Sequence, residues 1–477
     1  MTNIRSLRQA IAHAIRLPES YVVKPLLALA QLSPQAAQKA DALARRLIQG
    51  MREGPGHSGR AGRVQSLMQE FALSSEEGVA LMCLAEALLR IPDSATRDAL
   101  IRDKISGGNW QQHTGHSSSL FVNAASWGLV LTGKLVATHS EGQLLSALAR
   151  LIGKQGEPLI RSGMQLAMQM LGEQFVTGET IREALKRSQD MEARGFRYSY
   201  DMLGEAALTE TDALHYFKSY QDAIHAIGQS AKGKGVLAGA GISIKLSALH
   251  PRYSRAQQAR VFAELLPRVL QLAELAKHYN MGLNIDAEES ERLEISLDLL
   301  EALCHAPSLS GWHGLGFVIQ AYQKRCPYVV DYLLDLAKRS GHRLMIRLVK
   351  GAYWDSEIKR AQLEGQTDYP VLTRKHHTDV SYLACARKLL VAVDVVYPQF
   401  ATHNAQTLAS IVSMAEEMCG AYQAGQYEFQ CLHGIALVFS GGGCTALESS
   451  LPYLRTGWHP RNIVGLLNSP PSGERCQ

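Results

Sequence analysis

Polar side chains stand at the ends of several short apolar segments in the C-terminal part of the chain. When parallel strands close into a barrel, their C-terminal ends meet on one face, where catalytic groups are normally placed. For any one such residue, an ion pair that closes the mouth of the barrel is an equally good explanation. Their repetition at successive segment ends favours a catalytic site built from Asp201, Lys245, Asp286, Gln320, Arg347, Lys350, His403 and Asn404.

Two basic segments could bind a bulky anionic cofactor. The first, Arg347–Trp354, combines an arginine, a lysine, a glycine and two aromatic residues. Glycine permits close approach of the backbone, the cations can meet phosphate, and the aromatic rings can face a ring of the ligand. The second, Thr373–His377, could complete a pyrophosphate site. By itself, this second segment is explained equally well as the solvent-exposed start of a helix.

The secondary structure elements that must position these residues are predicted to alternate between β-strand and α-helix. From about Gly195, short apolar segments alternate with long amphipathic stretches, which is typical of βα units around a parallel sheet. A closed barrel of this kind needs eight strands. We predict an α/β fold, a (βα)8-type barrel in which the recognisable strands are Phe196–Leu203, Gly241–Leu246, Gly282–Ala287, Gly314–Ala321, Leu344–Val349, Gln399–Thr402 and Tyr427–Leu432.

The sequence before the predicted barrel indicates α-helices. From Met1 to about Arg150, apolar residues recur at three- and four-residue spacing among good helix formers. We therefore predict three parts: a helical arm and α-domain over residues 1–190, a barrel over 191–434, and a tail over 435–477.

Composition limits the classes of function. The 49 basic and 44 acidic residues are spread along the chain, and the net charge of +5 does not suggest nucleic-acid binding. The eight cysteines include no C-x-x-C pair, so we predict no metal site and no disulfide framework, and expect a reducing cytoplasm. Charges interrupt every apolar stretch before the ~18 residues of a membrane span. Any membrane contact is expected to be peripheral.

Six segments resemble, in order, successive strands of the proline dehydrogenase barrel of bacterial proline utilization A proteins. They are Phe196–Glu205, Ser243–Tyr253, Asn284–Glu289, Arg347–Trp354, Ala401–Asn404 and Tyr427–Gly434. The preceding helical region resembles the arm and helical domain of the same family. The resemblance implies an FAD-dependent oxidation of L-proline to Δ1-pyrroline-5-carboxylate, by hydride transfer to flavin N5, with electrons passed to a membrane quinone.

The resemblance also implies roles for residues at matching positions. Lys245 would pair with the proline carboxylate, while Tyr353 and Leu432 would pack on the proline ring. Asp201 and Asp286 would position the charged groups around them. Arg347 would lie near flavin N5, and Gln320 would hydrogen-bond the flavin ring. The remaining lining of the FAD would come from Asp286, Ala287, Val318, Val349, Lys350, Gly351, Ala352, Trp354, Thr373, Arg374, Lys375, Thr402, His403, Asn404, Gln430 and Cys431.

The tail departs from the family pattern after Gly434. There the family continues with a strand that supplies a tyrosine and a helix whose arginine pair clamps the substrate carboxylate bidentately. Back-translation of Ser449–Arg455 and Ser469–Gln477, shifted by one base, can yield these missing motifs. We therefore predict that residues 435–477 are a frameshift product. A nucleotide sequence in which no single insertion or deletion near codons 435–448 restores the family reading would contradict this.

Loss of the family's last strand has two expected consequences. The barrel would be open between its first and last strands, which exposes unpaired backbone groups. The chain as written is then expected to have little or no proline dehydrogenase activity, and the frame-corrected chain to be active.

Two other readings of the sequence remain open. In a Schiff-base aldolase, Lys245 would be the nucleophile and Asp201 or Asp286 the proton shuttle. Trapping of substrate on Lys245 by borohydride, without a yellow chromophore, would favour it. The other is an inactive regulatory fragment. Some proline utilization A proteins carry a DNA-binding ribbon-helix-helix and an aldehyde dehydrogenase domain, but neither is recognised here, so no nucleic-acid binding is expected. The parent protein is expected to be a homo-oligomer at the inner face of the cell membrane.

Overall fold

The computed structural model describes residues 2–53, 176–193, 195–202, 204 and 206–433, and the backbone of 462–467. The chain divides into two units, Met1–Gly54 with Thr177–Pro470 and Pro55–Val176 with Pro471–Gln477. The first unit holds almost all of the described residues.

A parallel sheet forms the centre of this unit. Most of the strand residues whose burial is described are buried, on both faces of the sheet, as is usual for a parallel sheet covered by helices. Consecutive strands from Arg197–Met202 to Glu428–Leu432 pair in parallel, which confirms the α/β fold and the seven predicted strands. The strands are β1 Val176–Gly178, β2 Arg197–Met202, β3 Gly241–Ile244, β4 Leu283–Ile285, β5 Leu315–Gln320, β6 Leu344–Val349, β7 Val396–Ala401, β8 Glu428–Leu432 and β9 Asn462–Leu467.

Strand β7 begins three residues earlier than the sequence predicted. Val396 pairs with Leu344 of β6, and Pro398 follows inside the strand. A proline removes one ladder hydrogen bond, so it is tolerated where a strand has a single neighbour. That is the case here, because β8 begins opposite Gln399.

The eighth position of the barrel is filled. Strand β9 pairs with β2 along its whole length and with β8 through Asn462–Val464. The predicted open edge is therefore corrected, because β9 joins β2 to β8. Ladder hydrogen bonds are made by backbone groups that every non-proline residue carries, and Ile463 and Val464 have high β-propensity. The frame-shifted family match Ser449–Arg455 lies outside the described residues.

Helices cover the outside of the barrel. Glu210–Ala231 begins with a capping box between Thr209 and Asp212 and ends at Lys232, which adopts the left-handed conformation. The other helices around the barrel are Ile181–Ala193, Gly235–Ala238, Gln258–His278, Leu293–Cys304, Cys326–Ser340, Trp354–Leu363, Lys375–Leu390 and Ala405–Cys419, with single turns of 3-10 helix at Leu246–Ala248, Arg255–Gln257, Ser290–Arg292 and Pro307–Leu309. None of the described helices is long and apolar enough to cross a bilayer.

An N-terminal arm, residues 2–53, lies against the outer helices. It consists of helices Thr2–His13, Glu19–Ala30 and Pro34–Glu53, with a 3-10 turn at Ala14–Arg16. These three helices contact Cys326–Ser340, Lys375–Leu390 and Ala405–Cys419, respectively. The predicted arm is thus helical. Of the rest of the predicted helical region, the structure describes residues 176–190, where Ile181 begins a helix but Val176–Gly178 forms a strand, so the prediction of helix is wrong for those three residues.

Candidate active site

Four charged side chains meet at the C-terminal ends of the strands. Asp201 lies in β2 and Arg347 in β6, while Lys245 and Asp286 directly follow β3 and β4. We call these four residues the charged cluster. Lys245 Nζ lies 2.8 Å from Asp201 Oδ1 and 3.3 Å from Asp286 Oδ2. Arg347 Nη1 lies 3.1 Å from Asp286 Oδ1. The structure therefore brings together four of the residues that the sequence singled out.

The charged cluster is largely buried, and this burial affects the protonation of its side chains. The four side chains are only 5% to 14% exposed, and two cations balance two carboxylates. Burial raises the pKa of Asp201 to about 6, with Asp286 acting in the same direction and Lys245 opposing it. Burial works against the charge on Lys245, but the carboxylates of Asp201 and Asp286 raise the pKa of the lysine well above its ordinary value. Lys245 is therefore held as a cation at neutral pH.

Three uncharged side chains hold the charged cluster in place, and the sequence analysis missed them. Arg347 donates from Nη1 to Ser243 Oγ at 2.9 Å and from Nη2 to Ser199 Oγ at 3.0 Å. The backbone N–H of Lys245 donates to Tyr220 Oη at 3.1 Å. Ser199 and Ser243 stand two residues before Asp201 and Lys245, which puts each pair on one face of a strand. That spacing could have revealed both serines, whereas Tyr220 lies on a helix and carries no comparable signal.

Replacing Asp201 by asparagine should change how stability depends on pH. The pKa of Asp201, near 6 in the folded chain, lies above the ordinary aspartate value of about 3.9. Between these values the folded state binds more protons than the unfolded state, so this group's contribution to the free energy of unfolding falls as pH rises. The free energy of unfolding of the unaltered chain, minus that of Asp201→Asn, should therefore fall by roughly 1 to 3 kcal/mol from about pH 4 to about pH 7. Urea unfolding at several pH values measures this; a difference independent of pH would contradict it.

A pocket opens beside the charged cluster, between the ends of β4 and β5. Its lining includes four residues of the predicted cofactor site, Asp286, Ala287, Val318 and Gln320. The side chain of Gln320 is buried and links two loops of the barrel mouth. It donates from Nε2 to the Glu288 carbonyl at 2.8 Å and accepts from the Ala352 N–H at 3.2 Å. The loops after β4 and β6 are thereby held together.

The two predicted basic segments come together at a bridging carboxylate. Lys350, at the end of β6, forms an ion pair with Asp379, and Lys375 Nζ lies 2.8 Å from the second oxygen of the same carboxylate. Burial works to raise the pKa of Asp379, but the two lysines lower it. Asp379 was not among the predicted site residues, although its spacing of four residues from Lys375 is that of a helical ion pair. Thr373–Lys375 is called the basic loop below.

The residues after β7 have local structural partners. Asn404 caps helix Ala405–Cys419, since its Oδ1 accepts from the Thr407 N–H at 2.9 Å. Thr402 Oγ1 accepts from the Asn404 N–H at 3.1 Å. His403 Nε2 accepts from the Leu432 N–H at 2.9 Å. Burial lowers the pKa of His403, which favours the neutral ring that this hydrogen bond requires.

The remaining predicted residues lie at the ends of β6 and β8. A Cβ at Gly351 would lie 2.5 Å from the ring of Tyr322, and its φ is +136°, so this position requires glycine. Trp354 is 41% exposed and donates from Nε1 to the Leu372 carbonyl at 3.0 Å, next to the basic loop. Val349, Tyr353 and Cys431 are half-buried, and Leu432 is exposed.

Several features of this region fit an anionic, aromatic cofactor. The buried atoms Arg347 Nε and Gln430 Oε1 have no hydrogen-bond partner within the described part of the chain, and buried polar atoms in such a position are commonly satisfied by a ligand or water. Lys350 and Lys375 carry positive charge that suits phosphate, and the exposed ring of Trp354 can face a planar group. The residues present therefore fit a flavin dinucleotide.

Three family models match the chain. The model described as Proline dehydrogenase matches residues 184–455, and the one described as Proline utilization A proline dehydrogenase N-terminal domain matches residues 6–52. The third, described as DNA-binding domain of Proline dehydrogenase, matches residues 63–175. This third match corrects the expectation that the chain contains no segment of that kind; those residues lie outside the described ones.

Curated relatives and solved structures agree with the first model. The chain is 66% identical over 428 residues to the bifunctional protein PutA of Escherichia coli, a match that covers 90% of this chain and 32% of the relative. It is 26% identical to proline dehydrogenase 1 of Bacillus subtilis, covering 59% of this chain and 80% of that relative. A mutant proline utilization A of Bradyrhizobium japonicum is 40% identical with a TM-score of 0.68, covering 95% of this chain and 44% of that one. The chain thus spans only 32% of the length of the PutA relative.

Proposed function

The chain belongs to the proline dehydrogenase family, and on that premise we propose that it oxidises L-proline to Δ1-pyrroline-5-carboxylate with FAD as its cofactor and a quinone as the final electron acceptor. The reaction belongs to the catabolism of proline. Contact with a membrane that carries the quinone is part of the proposal.

The charged cluster is the observation that carries this proposal. A proline zwitterion presents a carboxylate, and Lys245 is a nearly buried cation at the mouth of the barrel. Charge-assisted hydrogen bonds of this kind orient a small substrate strongly. Asp201 and Asp286 fix the lysine on one side, and Tyr220 fixes its backbone. These residues would hold the substrate in one orientation while water is excluded.

The cofactor would be held by residues around the same barrel mouth. Arg347 and Gln320 would face the flavin ring, and Lys350 with the basic loop would face the pyrophosphate. Tyr353, in the loop after β6, and Leu432, at the end of β8, would cover the proline ring. Bound FAD supplies the hydride acceptor, and the protein supplies orientation and charge.

The Schiff-base alternative is not favoured. A lysine nucleophile must lose its proton before it attacks a carbonyl, and enzymes achieve this by placing the amine in an apolar pocket or near another cation. Lys245 instead lies between two carboxylates, which raise its pKa well above the ordinary value.

The proposal is tested with the purified chain. We expect the purified chain to show a flavin absorption spectrum, and its bleaching by L-proline and its turnover with a quinone or dye acceptor to be much slower than those of the frame-corrected chain. A colourless protein that neither binds added FAD nor oxidises proline would refute the proposed function and favour the regulatory fragment.

Restoring the family's last strand and helix should raise activity strongly. We propose that residues 435–477 are a frameshift product and that the arginine pair of the family helix is missing from this chain. Removal of a partner of a buried charge pair typically costs about 2 to 5 kcal/mol, so the frame-corrected chain should show a kcat/KM for proline at least about 30-fold higher. Steady-state kinetics of both chains measures this, and equal turnover would contradict it.

A further inference from the structure

The N-terminal arm brings a carboxylate to the basic loop. Glu19 Oε1 accepts from the Thr373 N–H at 3.0 Å, and Oε2 accepts from the Thr373 hydroxyl at 2.6 Å. The Arg374 N–H lies 3.4 Å from Oε1, and His377 Nδ1 lies 2.6 Å from the same oxygen. The side chain of Glu19 is 18% exposed. One residue of the arm therefore binds the backbone and side chains at the start of helix Lys375–Leu390.

The opposite side of this loop is fixed by the barrel itself. Leu372 donates its N–H to the Tyr322 carbonyl at 2.7 Å and accepts from Trp354 Nε1. Val371 forms an isolated antiparallel bridge with Gln323. The segment before Thr373 is thus fixed from inside, whereas Thr373 itself is held from outside by Glu19.

We propose that Glu19 is a positioning residue for the phosphate-binding part of the cofactor site, acting through Thr373 and Arg374. The inference rests on the proposed function, because it takes the basic loop as part of the FAD site. The carboxylate fixes the loop before the ligand arrives, which reduces the entropy lost on binding. Its oxygens are directed at Thr373 and His377, and the exposed side chain of Arg374 remains free to turn toward a phosphate.

A matched control is available at the other end of the same arm helix. Arg387 donates from Nη2 to the Gln31 carbonyl at 2.7 Å and from Nε to the Leu29 carbonyl at 2.5 Å. It therefore ties helix Glu19–Ala30 to helix Lys375–Leu390 without touching the basic loop. Glu19→Ala and Arg387→Ala each remove one attachment of the arm, but only the first releases Thr373.

The test is a titration of FAD into the flavin-free full chain, followed by quenching of flavin fluorescence, with thermal unfolding recorded in parallel. Glu19→Ala should raise the Kd of FAD about three- to tenfold, the size expected when one or two side chains must be ordered on binding. Glu19→Gln keeps an acceptor for the Thr373 N–H and should stay within about twofold of the unaltered chain. Arg387→Ala should lower Tm while leaving the Kd of FAD unchanged.

Each other outcome would overturn the proposal. A tighter Kd in Glu19→Ala and Glu19→Gln would mean that the carboxylate competes with the phosphate. An unchanged Kd with a lower Tm would leave Glu19 a purely structural tie, and an equal loss of affinity in Arg387→Ala would assign the effect to the whole arm. If the unaltered chain binds no FAD, the proposed function itself is refuted. The outcomes described above, in which the unaltered chain does bind FAD, refute only the role of Glu19.

Discussion

Replacing Lys245 with methionine is expected to reduce kcat/KM for proline by at least about 30-fold and to destabilise the barrel. The lysine pairs with Asp201 at 2.8 Å and Asp286 at 3.3 Å in a nearly buried cluster. Removing one partner of a buried ion pair leaves an uncompensated charge, which costs about 3 to 5 kcal/mol. The substrate carboxylate would lose its proposed partner at the same time, which costs about 2 to 5 kcal/mol of binding. Steady-state kinetics and thermal unfolding measure the two effects separately.

The control for this prediction is a lysine with an equally close partner on the surface. Lys218 lies 2.7 Å from Asp222, but both side chains are more than half exposed. Exposed pairs contribute about 0 to 1 kcal/mol, so Lys218→Met should change little. The double variant Lys245→Met with Asp201→Asn should recover part of the lost stability but not the activity. If Lys245→Met retains full turnover, the charged cluster is not the substrate site.

Replacing Val464 with proline is expected to open the barrel. Val464 pairs with Ser199 of β2 on one side and with Leu432 of β8 on the other. Proline lacks the N–H that a central strand needs, and a buried backbone acceptor left without its hydrogen-bond partner costs about 1 to 3 kcal/mol. We expect a fall in Tm of several degrees and a tendency to aggregate, because β2 and β8 would expose unpaired backbone groups.

A second substitution at the same position separates the backbone from the side chain. Val464→Ile keeps the N–H and the β-branched shape, so it should leave Tm nearly unchanged. Thermal unfolding and size-exclusion chromatography of the two variants provide the comparison. Equal stability of Val464→Pro and the unaltered chain would mean that residues 462–467 do not close the barrel in solution.

The seven predicted strands and much of the candidate site were readable from the sequence. The strands are short apolar runs whose pattern is local, and a polar residue at the end of such a run must lie at the barrel mouth. Asp201, Lys245, Asp286 and Arg347 were found in this way. Ser199 and Ser243 carry the same local information through their two-residue spacing, which the sequence analysis did not use.

Other features were decided only by the tertiary structure. Glu19 and Thr373 are 354 positions apart, and no local pattern in either segment indicates that they meet. The closing strand β9 was not among the predicted strands, and it pairs with β2 and β8 because backbone pairing depends on an available sheet edge more than on particular side chains. The raised pKa of Asp201 likewise arises from burial among groups on other strands. The sequence by itself therefore determined which residues stand at the strand ends, since that depends on local periodicity. Only the fold decided what lies beside them, because burial and pairing depend on neighbours that are remote along the chain.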